Sequence, residues 1–264
     1  MDAEPNLGIV IPVFIPPGSD KIKQLTATLD EVLSQKDGHE DQICIVDDGS
    51  QNQELNEWLL AFDGDIPEVT YLTLPPSSHI PPWRLASARN YAVFDRVSNC
   101  QGYVFLDMDC MPQPWWLDEY RDMLSEHLPN MYAPGIVGIV VYGRTDHEQL
   151  DGSIKPDPRV ELSSSDNPRR AASLFERGGG GNMMVSYHIF YYLNGFDNQY
   201  DGGFGYEETD FTVRAYQAGA EVYYAPRAAV IHSYHPRDQA HFRGLDENRQ
   251  RFQASTRLFA GGRK

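Results

Sequence analysis

Cysteine, positive charge and long apolar runs are all scarce in this chain. The three cysteines among 264 residues (Cys44, Cys100 and Cys110) are an odd number, show no Cys-x-x-Cys spacing, and each lies in or beside an apolar run. That argues against a disulfide framework and for buried thiols in a reducing compartment. Lysine and arginine total 22 against 38 acidic side chains, a formal charge of −16. Such a balance disfavours nucleic acid or an anionic bilayer as the main partner, so a polyanionic ligand has to be met locally, by a metal or a few placed cations. No apolar run approaches the roughly 20 residues needed to span a bilayer, and the opening Met-Asp-Ala-Glu-Pro has neither a basic nor an apolar leader region. The expectation is a soluble, cytoplasmic protein without a transmembrane segment. Peripheral contact with a membrane is left open.

What the chain does have is an alternation of strand and helix patterns. Leu7 to Phe14 is an apolar run closed by Pro16-Pro17-Gly18, and the helix pattern after it places Ile22, Leu25, Leu29, Val32 and Leu33 on one face. Ile43 to Val46 and Val69 to Leu74 read as strands, Asn52 to Phe62 and the Leu85, Ala88, Ala92 series as helices, and Tyr103 to Leu106 as a fourth strand. Strands separated by helix-length segments predict an α/β fold with a mainly parallel central sheet and helices on both faces. Ile136 to Tyr142 reads as another strand. The polar tract 143–176, with Pro156, Pro158, Pro168 and Ser163 to Ser165, reads as a long mobile loop. Beyond Gly178 to Gly181 come a short aromatic helix (His188 to Leu193), an amphipathic helix opening at Tyr206 and ending near Gly219, and two strands, Val222 to Ala225 and Ala229 to Ser233. The length suits one domain, 1–264, with a nucleotide-binding half (1–110) and an acceptor-binding, catalytic half (111–264).

In open α/β sheets ligands bind beyond the carboxyl ends of the strands, and two acidic clusters stand there: Asp47-Asp48-Gly-Ser and Asp107-Met-Asp109. Two carboxylates one residue apart can turn toward a common ligand, and Mg2+ or Mn2+ is typically held by one or two carboxylates plus phosphate oxygens. A solvated strand end accounts for the same pair. Asp47 and Asp48 read either as an Asx turn or as an acceptor for the ring N–H of a uracil. Glu207, Glu208 and Asp210 load a first helical turn, where the macrodipole favours negative charge whatever the function. His232 closes an apolar β pattern, and His235 follows three residues later.

Taken in order, Ile9-Val-Ile-Pro-Val13, Val46-Asp-Asp-Gly-Ser50, Leu85-Ala-Ser-Ala-Arg-Asn90, Phe105-Leu-Asp-Met-Asp109, Gly179-Gly-Gly-Asn182, Leu193-Asn-Gly-Phe-Asp197, Gly205-Tyr-Glu-Glu-Thr-Asp210 and Ile231-His232 resemble GT-A fold glycosyltransferases. The likeness is to family 2 enzymes whose second half is similar to the galactosyltransferase and polypeptide N-acetylgalactosaminyltransferase C-terminal region, and it covers roughly residues 7 to 235. The resemblance implies a Rossmann-like GT-A fold and a metal-dependent transfer of a hexose or N-acetylhexosamine from a UDP-sugar to a saccharide or lipid-linked oligosaccharide hydroxyl. It implies uridine contacts at Pro12, Val13 and Asp48 with Asp47 adjoining, a nucleotide-side cation at Arg89, and a metal–diphosphate site at Asp107 and Asp109. His232 or His235 would complete the metal ligands.

Glu208, with Asp210 as second choice, would be the general base of an inverting displacement, and Glu207 would bond the acceptor. In the family's Gly-Gly-Glu-Asp motif Tyr206 replaces a glycine and Glu208 an aspartate. Trp115, Trp116 and Phe204 are candidate sugar-stacking rings, with core packing as the alternative. The segment 233–244 is an expected lid whose Arg237 or Arg243 meets the diphosphate. A retaining mechanism and a non-catalytic nucleotide- or saccharide-binding domain are the alternative readings. A nucleotidyltransferase is disfavoured, because Phe14-Ile-Pro-Pro-Gly18 lacks that class's glycine-rich, arginine-bearing loop.

Overall fold

A strand covered by helices on both faces needs apolar side chains at every position, and the first apolar runs meet that condition. In the computed structural model, which describes residues 4–36, 39–61, 69–78, 81–97, 99–132, 137–156, 170–171, 179–237 and 239–260, β1 (Leu7–Val13) is buried throughout. It is followed by α1 (Lys21–Gln35), β2 (Gln42–Asp47), α2 (Gln53–Ala61), β3 (Val69–Thr73), α3 (Leu85–Tyr91) and β4 (Gly102–Leu106). α1 buries Ile22, Leu25, Leu29 and Val32 of the expected stripe, and Leu33 packs against the core half-buried. The second half supplies β5 (Cys110–Pro112), α4 (Trp116–His127), β6 (Ile139–Glu148), β7 (Ile154–Pro156), β8 (Arg170–Ala171), β9 (Asn182–Ser186), α5 (Tyr187–Tyr192), α6 (Glu207–Gln217), β10 (Glu221–His232) and α7 (Leu245–Ala260).

Among the described residues ten strands join one sheet in the order β3-β2-β1-β4-β9-β6-β10-β5, with β7 beside β6 and β8 beside β10. β3, β2, β1 and β4 are mutually parallel. β9 runs antiparallel to both β4 and β6, so β6 and its parallel neighbour β10 point the same way as the first four. The sheet is therefore mainly parallel, as expected. One apolar layer brings Leu25, Leu29, Leu55, Leu117 and Leu124 against it, and the other brings Ala88, Val93, Ile189, Phe190 and Phe211. The carboxyl ends of β1, β2, β4, β6 and β10 share one edge, so Val13, Asp47, Asp107, His147 and His232 gather there.

Two expectations are corrected. The tract 143–176 does not open as a loop: β6 runs on to Glu148 and β7 pairs back onto Asp146–Glu148. Pairing with β10 on one side and β7 on the other satisfies its backbone although its side chains turn polar. The two expected strands between Val222 and Ser233 are one strand, irregular between Ala225 and Ala229, where Pro226 cannot donate to a ladder. Phe62, Ile136, Pro158, Ser163 to Ser165, Pro168 and Gly178 lie outside the described residues. All three cysteines are buried and free. Among the described residues no helix is long and apolar enough to cross a membrane.

Candidate metal and nucleotide site

The Asp-x-Asp segment is the turn between β4 and β5. Cys110 N donates to Asp107 O at 3.0 Å, which reverses the chain, and β5 then pairs antiparallel with β10 so that Cys110 stands opposite His232. Ser233 N closes the junction on Asp109 O at 2.9 Å. This backbone register, rather than any side-chain attraction, brings Asp109 within 3.7 Å of His232 Nε2 and 3.4 Å of His235 Nε2. The candidate ligand atoms of these three residues all lie within 4.8 Å of one another. Both histidines are thus present where the sequence offered them as alternatives. Burial pushes the His232 imidazole down to about 4 against the pull of Asp109, and lowers His235 in the same way. Neutral rings are the form that ligates a metal. His147, in register with His232 on β6, lays its ring 5.1 Å from the His232 ring.

Asp107 stands beside this triad rather than in it. Burial pushes its carboxyl up to about 6; the nearby Arg89 lowers it, and Asp109 and Glu208 add to the rise. Asp107 N donates to Gly181 O at 3.0 Å. A Cβ on Gly181 would lie 2.3 Å from Asp107 Oδ2, and one on Gly180 would lie 2.9 Å from Glu208 Cβ. The tract is glycine because its backbone lies directly against these two acids.

Arg89 is not open to solvent as a nucleotide-side cation. Its side chain is 1% exposed, 3.0 Å from Glu207 Oε1 and 3.6 Å from Asp107 Oδ1. It also donates to Gly180 O at 3.3 Å. It ties the two halves of the site together from within. Glu207 is buried; desolvation and the charge of Glu208 push its carboxyl up, and Arg89 opposes them. Asp210 is turned inward, accepting from Arg214 Nε at 2.6 Å and the Tyr200 hydroxyl at 3.3 Å. Glu208 is the half-exposed member of the three acids. Gly205 and Tyr206, just before α6, both have φ near +75° (75 and 76), so Tyr206 holds the left-handed conformation a glycine would adopt there.

On the nucleotide side Asp47 makes the Asx turn, accepting from Ser50 N at 2.9 Å and from the Ser50 hydroxyl. Asp48 is held by Arg84, whose backbone N and Nε donate to its two oxygens at 3.0 and 2.7 Å. Burial still pushes Asp48 up to about 6. Arg84 is a partner that the sequence did not reveal. Pro12 and Val13 are buried, and Val13 O accepts from Asp48 N at 2.8 Å.

Of the aromatic candidates, Trp116 is a core residue with its indole N–H on Asn182, and Trp115 is 62% exposed beyond the far end of β5. Phe204 packs with Trp83 and His241 at ring distances of 5.2 and 4.8 Å. Arg243 donates to Pro81 O, while Arg237 is exposed.

This sheet, with its acids gathered at one carboxyl edge, is the GT-A fold of glycosyltransferases. The model of glycosyl transferase family 2 matches residues 9–175, and the model described as the N-terminal domain of galactosyltransferase matches residues 160–236. The chain belongs to glycosyl transferase family 2. Among solved structures it is similar to GalNAc-T7 with UDP, GalNAc and Mn2+ (TM-score 0.65, 16% identity, covering 92% of this chain and 46% of that one). It is also similar to residues 1–349 of TarS from S. aureus in complex with UDP-GlcNAc (0.63, 14%, 89% and 60%). A third likeness is to the mannosyltransferase PcManGT from Pyrobaculum calidifontis in complex with GDP-Man and Mn2+ (0.60, 14%, 96% and 63%). The chain thus spans between about half and under two thirds of each of these proteins. No curated protein matches it.

Proposed function

We propose that this chain is a single-domain, metal-dependent, inverting glycosyltransferase that moves a hexose or N-acetylhexosamine from a UDP-sugar to a saccharide or lipid-linked oligosaccharide hydroxyl. The observation that carries the reading is the convergence of Asp109, His232 and His235 within one ligand sphere, with Asp107 and Glu208 under the glycine tract next to it. One carboxylate and two neutral imidazoles fit a divalent ion, and the nitrogen content favours Mn2+ over Mg2+. Such an ion, when bound, supplies Lewis-acid neutralisation of the departing diphosphate.

The remaining roles belong to the chain. Asp48 offers a carboxylate for a base N–H once shared with or released by Arg84, which supports uracil. Asp107, kept beside Arg89, orients the diphosphate side. Glu208 takes the proton of the attacking hydroxyl, a role worth about 10²–10⁴-fold in rate. Glu207 and Asp210 are ion-paired to Arg89 and Arg214, so they shape the turn and leave Glu208 as the base. Of the three similar structures two hold UDP or a UDP-sugar, the third holds GDP-Man, and two hold Mn2+, which supports a nucleotide-sugar donor and a divalent metal.

The test is thermal unfolding with UDP and UDP-sugars, each with Mn2+, Mg2+ or neither. At about a hundred times its dissociation constant a ligand adds about 2.7 kcal/mol of stability. The expected result is a UDP-induced shift that needs Mn2+, exceeds that with Mg2+ and is absent in Asp109→Ala. The anomeric configuration of the product, read by proton NMR, then tests inversion. Saturating UDP and Mn2+ without any shift would remove the reading.

A further inference from the structure

The turn that delivers Glu207 and Glu208 is disfavoured on its own. Gly205 and Tyr206 are consecutive left-handed residues (φ 75 and 76), and a side chain in that region meets its own backbone. Such a conformation persists only where the surroundings over-determine it. The surroundings here are α7, an element whose residues carry no family motif. Asn248, in its first turn, is 2% exposed. Its Nδ2 donates to the carbonyls of Tyr200 and Gly205 at 3.0 Å each, gripping the 200–206 loop at both ends.

Arg251, three residues on, donates from Nη1 to Asn248 Oδ1 at 2.9 Å and places its guanidinium 5.6 Å from the Tyr200 ring centroid. That bond fixes which way round the amide sits, since an oxygen facing Arg251 leaves the N–H groups for the carbonyls. The same junction is closed by Phe204 N donating to Arg243 O at 2.8 Å and by the Tyr206 ring lying 5.5 Å from Phe252. Gly203 and Gly244 approach so closely that a Cβ on Gly244 would lie 2.4 Å from Gly203 Cα.

The geometry points to Asn248, oriented by Arg251, as a positioning residue that holds the Gly205–Tyr206 turn and through it sets the place of Glu208. It touches no substrate, and the assignment rests on Glu208 being the base. The side-chain hydrogen bonds of Asn248 go to Tyr200, Gly205 and Arg251 and none goes to Asp109, His232, His235 or Asp48, so turnover should fall further than nucleotide binding.

The experiment measures hydrolytic UDP release, with water taking the glycosyl group in place of the saccharide hydroxyl, from the UDP-sugar that shifts the wild-type melting temperature most, with Mn2+, alongside the dissociation constant of UDP and Mn2+ by calorimetry. Asn248→Ala, and Asn248→Asp, which turns an oxygen toward two carbonyls, are expected to lower kcat by about tenfold or more while UDP affinity stays within about twofold. Arg251→Met, which leaves the amide in place but free to rotate, is expected to lower kcat by about threefold. A kcat within about twofold of wild type in Asn248→Ala, or a loss of UDP affinity equal to the loss of kcat, overturns the assignment. Should the Asn248 variants fail to fold, Arg251→Met decides it, an unchanged kcat overturning it. Wild-type turnover with unaffected variants removes this assignment alone. A wild-type chain that binds UDP and Mn2+ but releases UDP from no UDP-sugar removes the base reading, and this assignment with it.

Discussion

Replacing Asn182 asks whether one side chain anchors the glycine tract to the second half of the sheet. The residue is 1% exposed. Its Oδ1 accepts from the Trp116 indole N–H and the Tyr120 hydroxyl, both at 2.8 Å, and its Nδ2 donates to the carbonyls of Arg144 and Ala228 at 2.9 and 3.0 Å. The amide is therefore fully used. Asn182→Ala strands four partners, each costing about 1–3 kcal/mol if left buried and unbonded. Water entering the vacated space can serve some of them, so the lower end applies and the expected loss is about 4 kcal/mol. Total stabilities lie near 5–15 kcal/mol, and in a chain of this size each kcal/mol moves Tm by about 2–4 °C, so Tm should fall by about 8–16 °C. Asn182→Asp opens no cavity but faces an oxygen to both carbonyls, and should cost as much. The assay is urea unfolding followed by far-UV circular dichroism and tryptophan fluorescence. Losses under about 1 kcal/mol in both variants would refute the reasoning, because a single net hydrogen bond is worth that much.

Arg89→Met should destabilise by about 3–5 kcal/mol, since it leaves Glu207 and Asp107 crowded without a counter-ion, and adding Glu207→Gln should restore part of the loss in the same urea assay. Gly181→Ala should displace the Asp107 carboxylate, lowering UDP release by about tenfold or more while Mn2+ binding to Asp109, His232 and His235, read by calorimetry, persists. Asp48 has a folded pKa of about 6, raised by burial above its ordinary 3.8, so its contribution to stability is complete below pH 3.8 and is lost as pH rises through 6. Between pH 5 and pH 7 the wild type should therefore lose about 1 kcal/mol relative to Asp48→Asn, and a flat difference between the two unfolding curves would contradict the shift.

The βα half was legible because its strands are apolar at every position and its acids stand at strand ends, so Ile43 to Val46 followed by Asp47-Asp48 announces both a buried strand and a carboxyl edge. The second half was less so. Thr145, Asp146, His147 and Glu148 carry no apolar alternation, yet they form strand because β7 and β10 bond to them on either side. His147 was missed for that reason. β5 is three residues long, too short for any periodicity, although its register brings Asp109, His232 and His235 together. The identity of Arg89 and Asp210 was readable but their direction was not. Arg89 turns inward because Glu207, 118 residues away, waits there. Asp210 does so because Arg214 is one helical turn on. Asn248 gave no signal at all, since a buried amide bonded to two carbonyls and an arginine looks, in sequence, like any surface asparagine.

The position of β9 bears on how the chain is made. The first four strands can pair with one another as soon as they leave the ribosome, but the open edge of β4 is covered only by β9, about 80 residues later, which is some 4–16 s of synthesis at about 5–20 residues per second. During that interval Tyr103, Val104 and Phe105 present an unpaired apolar strand, the kind of edge on which nascent chains associate. Soluble yield should accordingly depend on translation speed through residues 107–186 and on chaperones that shield strand edges, more than on the stability of the finished sheet.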